Sequence, residues 1–190
     1  MMSSNIHIQD KGKELLLTSL SDFYNKNEKY KNILISIINS KYILSLRLID
    51  WLVTHYAKAN NIIFWISMID NNIYDKCPQD IEDYNKYKKV NIYLDYRAQL
   101  KSYTKFKFDS FRRHDRITFI IDKNKGINIE TTIGQLNFFR WAFNNNILDY
   151  AIKHKKEIYS SMLKKTIKEE KNTIIPKQDI INAKCFLRFD

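Results

Sequence analysis

Glycine is nearly missing from this sequence of 190 residues, which has only Gly12, Gly126 and Gly134, all far apart. Without a glycine-rich turn no run of backbone N–H groups can close on a nucleotide's phosphates, so Walker-type and Rossmann-type sites are excluded. Cysteine is equally sparse. Cys77 and Cys185 form no C-x-x-C pair, which excludes the familiar zinc frameworks and a disulfide-dense secreted scaffold and favours a reducing compartment. The chain has two prolines and no Pro/Ser/Gly-rich linker that would divide it. No segment approaches the roughly 18 uninterrupted apolar residues of a membrane span. The opening MMSSNIHIQDKGK also lacks the basic and apolar regions of a secretion signal, so a soluble intracellular chain with no membrane partner is expected.

What is present is apolar material and positive charge. Hydrophobic residues make up 44% and aromatics 14%, enough to build one sizeable core rather than a disordered chain. Lys and Arg number 32 against 21 acids, a net charge of +11 that favours polyanionic partners. Ile, Asn, Lys and Tyr, whose codons are rich in A and T, supply 85 residues, and Ala only six. Part of the basicity therefore reflects base composition. The clustering of Arg112, Arg113 and Arg116, three of only seven arginines, is the part of the basicity that this bias explains least.

Helical spacing of Leu16, Leu20 and Phe23, then of Ile33, Ile37 and Ile38, predicts two helices with a break near residues 25–28. Ser45 offers an N-cap hydroxyl to a helix whose apolar face is Leu46, Ile49, Leu52, Val53 and Tyr56, ended by Asn60 and Asn61. Strands are predicted at IIFWIS, at VNIYLDY (90–96), where Val90, Ile92, Leu94 and Tyr96 alternate, and at ITFIID (117–122) and INIE (127–130), the last two joined as a hairpin by KNKG. Residues 68–88 accumulate Asp70, Asp75, Asp80, Glu82 and Asp83 around Pro78 and read as an acidic surface loop. Thr132 caps a final set of two or three helices with a break at residues 144–146. The order predicts an α+β fold: a single domain over 1–175, with a small, mainly antiparallel sheet packed against several helices. The tail 176–190 could add an edge strand through CFLRF.

The densest cationic stretch is 97–125, with nine basic side chains against Asp109, Asp115 and Asp122. Arg97, Lys101, Lys105, Lys107, Arg112, Arg113 and Arg116 are the candidate phosphate contacts, and Tyr103 is the candidate stacking ring among the interleaved Phe106, Phe108 and Phe111. Guanidinium and ammonium groups neutralise phosphates, while exposed rings stack on unpaired bases, a pairing that suits single-stranded nucleic acid. The same alternation also describes a half-buried element that shows its charged side to water. Asp115 could pair internally with a neighbouring arginine. A second basic cluster, Lys153, Lys155, Lys156, Lys164, Lys165, Lys168 and Lys171, is offset by three glutamates and reads as a solvated helix face.

For catalysis, His7, His55, His114 and His154 show no metal-ligand spacing, and no motif partner activates either cysteine. Asp95, Asp122 and Glu130 fall near strand ends and could converge on a nuclease metal, although no spacing singles them out. No catalytic residue, metal site or cofactor is assigned.

Three blocks, SLRLIDWLVTHYAKANN (45–61), NIYLDYRAQLKSYTKFKFDSFRRHDRI (91–117) and IETTIGQLNFFRWAFNNNILDYAIKH (129–154), resemble an uncharacterised protein family of nucleocytoplasmic large (giant) DNA viruses, in which similar blocks occur in the same order. The resemblance implies a viral origin, a place in the host cytoplasm (viral factory) or the virion, and no assigned enzymatic activity. The leading expectation is a non-enzymatic viral accessory protein that binds DNA or RNA through the 97–125 surface, in gene expression, replication or packaging. The alternatives are a virion component or other partner of viral proteins, and a metal-dependent nuclease.

Overall fold

The computed structural model describes residues 2–78, 85–122 and 125–173, with side chains from 11 to 165 within those limits. It is an α+β single domain. The tail 176–190, the centre of the acidic loop and Cys185 lie outside the described residues. Helix α1 (Met2–Lys26) gives way to α2 (Glu28–Ile38) at Asn27, whose φ of −128° leaves the helical region. The Asn27 side-chain amide donates to the Phe23 carbonyl at 3.1 Å, satisfying an acceptor that the break strands.

Ser45 caps α3 (Leu46–Trp51), its hydroxyl accepting from the Leu48 N–H at 3.2 Å as the sequence requires. The helix then widens into one π turn (Leu52–Tyr56) before α4 (Ala57–Asn60), and Asn61 stops it in the left-handed region at φ 45°. Strand β1 (Ile63–Ser67) is the centre of a three-stranded antiparallel sheet, between β2 (Ile73–Tyr74) and β3 (Tyr87–Asn91). Strands β4 (Ile117–Asp122) and β5 (Ile127–Thr131) form a separate antiparallel hairpin. The antiparallel strands are thus divided between two small sheets rather than gathered in one, and the ends of the 68–88 stretch contribute strand to the first.

Residues 92–96 correct the expected strand: Ile92 begins α5 (Ile92–Lys107). Alternation there is overruled by capping. The Asn91 side chain accepts from the Leu94 N–H at 3.0 Å, while Asp95 accepts from the Asn91 N–H at 3.1 Å, so both donors at the turn are satisfied by a helix. Leu94, one of the four alternating residues, then points to solvent.

The core forms around α6 (Ile133–Asn144), in which nine of twelve residues are buried, the signature of a helix surrounded by protein. Phe138 and Phe139 are fully buried, and Tyr24 of α1, equally buried, meets the Phe143 ring edge-on at 6.5 Å and donates its hydroxyl to the Leu136 carbonyl at 2.7 Å. Each such ring removed from water stabilises the fold by about 1.5–3 kcal/mol. Helices α7 (Ile147–Lys153) and α8 (Lys155–Thr173) close the other side. A buried ion pair ties α2 to β4, with Lys31 Nζ 2.8 Å from Asp122 Oδ2.

Candidate nucleic-acid interface

Helix α5 divides the candidate residues by the side of the helix they occupy. Its inner side carries Tyr96 and Tyr103, which pack against Phe108, Phe138 and Trp141. Tyr103 is half-buried and stacked on Phe108, which is itself fully buried. Burial pushes the Tyr96 phenol up to about 12, with the Asp50 and Asp109 carboxylates adding to the effect. Tyr103 and Phe108 are therefore core rings first. The outer side presents Lys101 and Lys105 to solvent, neither with an acidic partner among the described residues. Arg97 lies a turn earlier, its guanidinium 6.0 Å from the Tyr93 ring.

The helix is interrupted at Thr104, with φ 62° and ψ 162°. That region admits glycine freely and strains any other residue by about 1–3 kcal/mol. The break turns Phe106 outward, 65% exposed, and the chain then returns to α6. Three bonds seat it there, as Asn137 Nδ2 donates to the Lys107 carbonyl at 2.9 Å, the Asp109 N–H to the Gly134 carbonyl at 3.2 Å and Gln135 Nε2 to the Ser110 carbonyl at 3.0 Å, while Ser110 Oγ donates to Asp50 of α3 at 3.0 Å. Gly134 permits the approach, since a Cβ there would stand 3.2 Å from the Asp109 nitrogen. Burial pushes the Asp50 carboxyl above its usual range, against the opposing Ser110 hydrogen bond.

The three clustered arginines do not converge on one clamp. The Arg112 side chain is only 15% exposed, paired with Asp115 and lying over the Phe106 ring at 3.8 Å. Arg116 reaches across the hairpin to Glu130 at 3.3 Å. Arg113 is exposed and has no acidic partner among the described residues. The hydrogen bond from Arg112 holds the Asp115 carboxyl below the usual carboxylate range, helped by the nearby charges of Arg112, His114 and Lys13.

Around these residues the structure opens a cavity of about 710 Å³, walled by Tyr103, Thr104, Phe106 and Lys107, by Arg112 and Asp115 from the loop, by Thr132 and Ile133 from the start of α6, and by Lys13 from α1. No sequence pattern marks Lys13, because only folding brings α1 beside a segment some ninety residues later. Lys107 comes equally close to α1, its ammonium 3.9 Å from where a Cβ on Gly12 would stand.

The carboxylates considered for a nuclease metal are engaged separately. Asp95 caps α5, Asp122 holds Lys31 and Glu130 holds Arg116. Among the described residues no group of three His, Cys, Asp or Glu side chains could hold a metal ion. His55 stacks on Trp51 at 4.3 Å. His154, which sequence spacing did not single out, stands between Asp75 at 3.1 Å and Glu157 at 3.3 Å, against the Tyr150 ring. Asp75 also takes Lys153 at 2.6 Å. In the second basic cluster that lysine is thus neutralised, and Lys165 lies over Trp51 at 5.2 Å; the side chains of Lys168 and Lys171 lie outside those described.

No helix among the described residues is long and apolar enough to cross a membrane. No solved structure matches the chain. An uncharacterised protein of Acanthamoeba polyphaga mimivirus is 32% identical over 183 residues, which cover 94% of this chain and 61% of that protein, so the chain spans less than two thirds of its viral relative. Residues 2–184 match the Family of unknown function (DUF7197). The match runs through all three blocks that suggested giant-virus ancestry, and the chain belongs to that family.

Proposed function

We propose that the protein binds single-stranded nucleic acid along the outer side of α5 and the 106–113 turn, as a viral accessory factor in gene expression, replication or packaging, working in the host cytoplasm or the virion. The observation that carries this reading is Phe106, an exposed aromatic ring set among cations, with a guanidinium against one of its faces. A ring of that size costs free energy in water, and a base stacking on it recovers that cost. Lys101, Lys105 and Arg113, exposed and without internal acids among the described residues, supply the phosphate contacts. Arg112 acts through the ring instead of clamping phosphate, and Arg116 is held by Glu130.

The test is the anisotropy of a labelled oligothymidine at two salt concentrations. The logarithm of affinity should fall linearly with that of salt, by about 0.7 per neutralised phosphate. The double variant Lys101→Ala, Lys105→Ala should flatten the slope by about 1.4. Equal affinity at low and high salt would overturn the reading.

A second reading, attachment to another viral protein, has one observation in its favour. Met68 and Ile69 at the tip of the β1–β2 hairpin are 71% and 78% exposed. Met68→Ser with Ile69→Ser would release such a partner and leave oligonucleotide binding intact.

A further inference from the structure

Nothing in the strip of exposed lysines requires a cavity, yet one opens beside Phe106, and its wall is chemically lopsided. Three cations, Lys13, Lys107 and Arg112, face a single acid, Asp115, which Arg112 already holds. Neither Lys13 nor Lys107 makes an ion pair among the described residues. Lys107 also lies close to α1, its ammonium 3.9 Å from where a Cβ on Gly12 would stand, and it lines the same cavity as Lys13. The remainder of the wall is apolar or hydroxyl-bearing: Phe106, Tyr103 and Ile133 with Ser102, Thr104 and Thr132. At about 710 Å³ the space matches that of small-molecule sites. An occupant that fits this wall has a flat aromatic part and at least one negative charge.

The backbone supplies an independent sign. Thr104, on the lip of the cavity, stands in a conformation that only glycine adopts without strain. Such strain persists where the surroundings over-determine it, and it gathers at ligand-binding sites. Here three bonds to α6 and one to Asp50 of α3 hold the 107–110 segment, on the far side of the break, in place.

We infer that this cavity receives one unstacked nucleotide of a bound single strand, with the base against the open face of Phe106 and the phosphate between Lys13 and Lys107. The inference rests on the nucleic-acid reading and adds to it a discrete base site with a ligand class of its own, nucleoside monophosphates. A cationic strip alone would follow the backbone and ignore the base. The cavity makes the base itself a source of affinity.

The experiment uses the full chain and three probes: a labelled oligothymidine, an oligomer of the same length built from abasic units, and AMP as competitor. Stacking of one base should make the oligothymidine bind about ten-fold more tightly than the abasic oligomer. AMP at millimolar concentration should displace the oligothymidine down to the abasic level. Phe106→Ala, at an exposed position where folding is retained, should erase the difference between the oligomers. Lys13→Gln, outside the 97–125 strip, should weaken AMP several-fold. Equal binding of the two oligomers, or failure of AMP to compete, would overturn the base site and leave the cationic strip standing. Failure of both oligomers to bind would overturn the nucleic-acid reading itself.

Discussion

Replacing Thr104 by glycine should stabilise this protein, the reverse of what glycine does at most helical positions. At φ 62° and ψ 162° the threonine Cβ is crowded against its own backbone. The strain is about 1–3 kcal/mol. Glycine removes it but adds freedom to the unfolded chain, a cost of about 0.5–1 kcal/mol. The side chain is exposed, so its loss adds little else. Taking the middle of each range, the balance is a gain of about 1.3 kcal/mol, which in a chain of this size raises Tm by roughly 3–5 °C. Thr104→Ala is the control, because alanine keeps the Cβ and therefore the strain. Scanning calorimetry and urea titration of both variants check the reasoning. A lower Tm for Thr104→Gly, or equal values for the two variants, would refute it. Oligonucleotide affinity measured on the same protein completes the test: stability gained while affinity falls is the mark of strain kept for binding.

The buried ion pair should behave asymmetrically. Lys31→Met leaves the Asp122 carboxylate in the core without its ammonium, at a cost of about 3–5 kcal/mol, whereas Lys31→Met with Asp122→Leu should recover most of that loss; equal urea midpoints for the single and double variants would sink this. Asp50 sets a pH dependence. Because burial raises its carboxyl, the folded state keeps a proton that the unfolded chain gives up near pH 4, so its contribution declines as pH rises from about 4 through the raised value and is level beyond it. Asp50→Asn still accepts from Ser110 and should lose less stability than the parent between pH 4 and 7, and parallel pH profiles would argue against it. The carboxyls of Glu28 and Asp115 act in the opposite sense. Both are lowered, chiefly by hydrogen bonds from Lys31 and Arg112, so their contribution is present above about pH 4 and lost as pH falls through their folded values.

What the sequence showed best were the helix boundaries, because they are set by short polar side chains acting on neighbouring backbone. Ser45 and Thr132 each accept the N–H three residues on, and Asn61 takes the left-handed turn that ends its helix. The same local chemistry defeated the strand expected at 90–96. Alternation is a weak signal over seven residues, and two side chains that satisfy the turn, Asn91 and Asp95, outweigh it. The β4–β5 hairpin was legible from its loop, but that its strands stand apart from β1 was not, because sheet partnership is decided by long-range packing. At the site, the cationic stretch was evident, yet spacing could not say which rings turn inward. Phe108 and Phe106 are two residues apart, and one is fully buried while the other is exposed, because the break at Thr104 and the seating on Gly134 fall around them.

The salt dependence of binding can decide whether the internal ion pairs of the 97–125 region survive contact with a strand. Seven cations in that region were candidates from the sequence alone, and if all of them neutralised phosphates the slope against salt would be about −5. In the fold, Arg112 and Arg116 are held by Asp115 and Glu130, and Arg97 lies against Tyr93. Lys101, Lys105, Lys107 and Arg113 remain, joined by Lys13 from α1, and five contacts give a slope of about −3.5. Exposed pairs such as Arg116 with Glu130 contribute at most about 1 kcal/mol, so a phosphate competes for that guanidinium on nearly even terms. Arg112 is different: its side chain is mostly buried and also covers one face of Phe106, so releasing it would expose that apolar face to water as well. A slope near −3.5 that is unchanged by Arg112→Gln would mean that Arg112 neutralises no phosphate and contributes as a stacking surface. A slope near −5 that drops by about 0.7 on Arg116→Ala would mean that the hairpin gives up its pair to the nucleic acid.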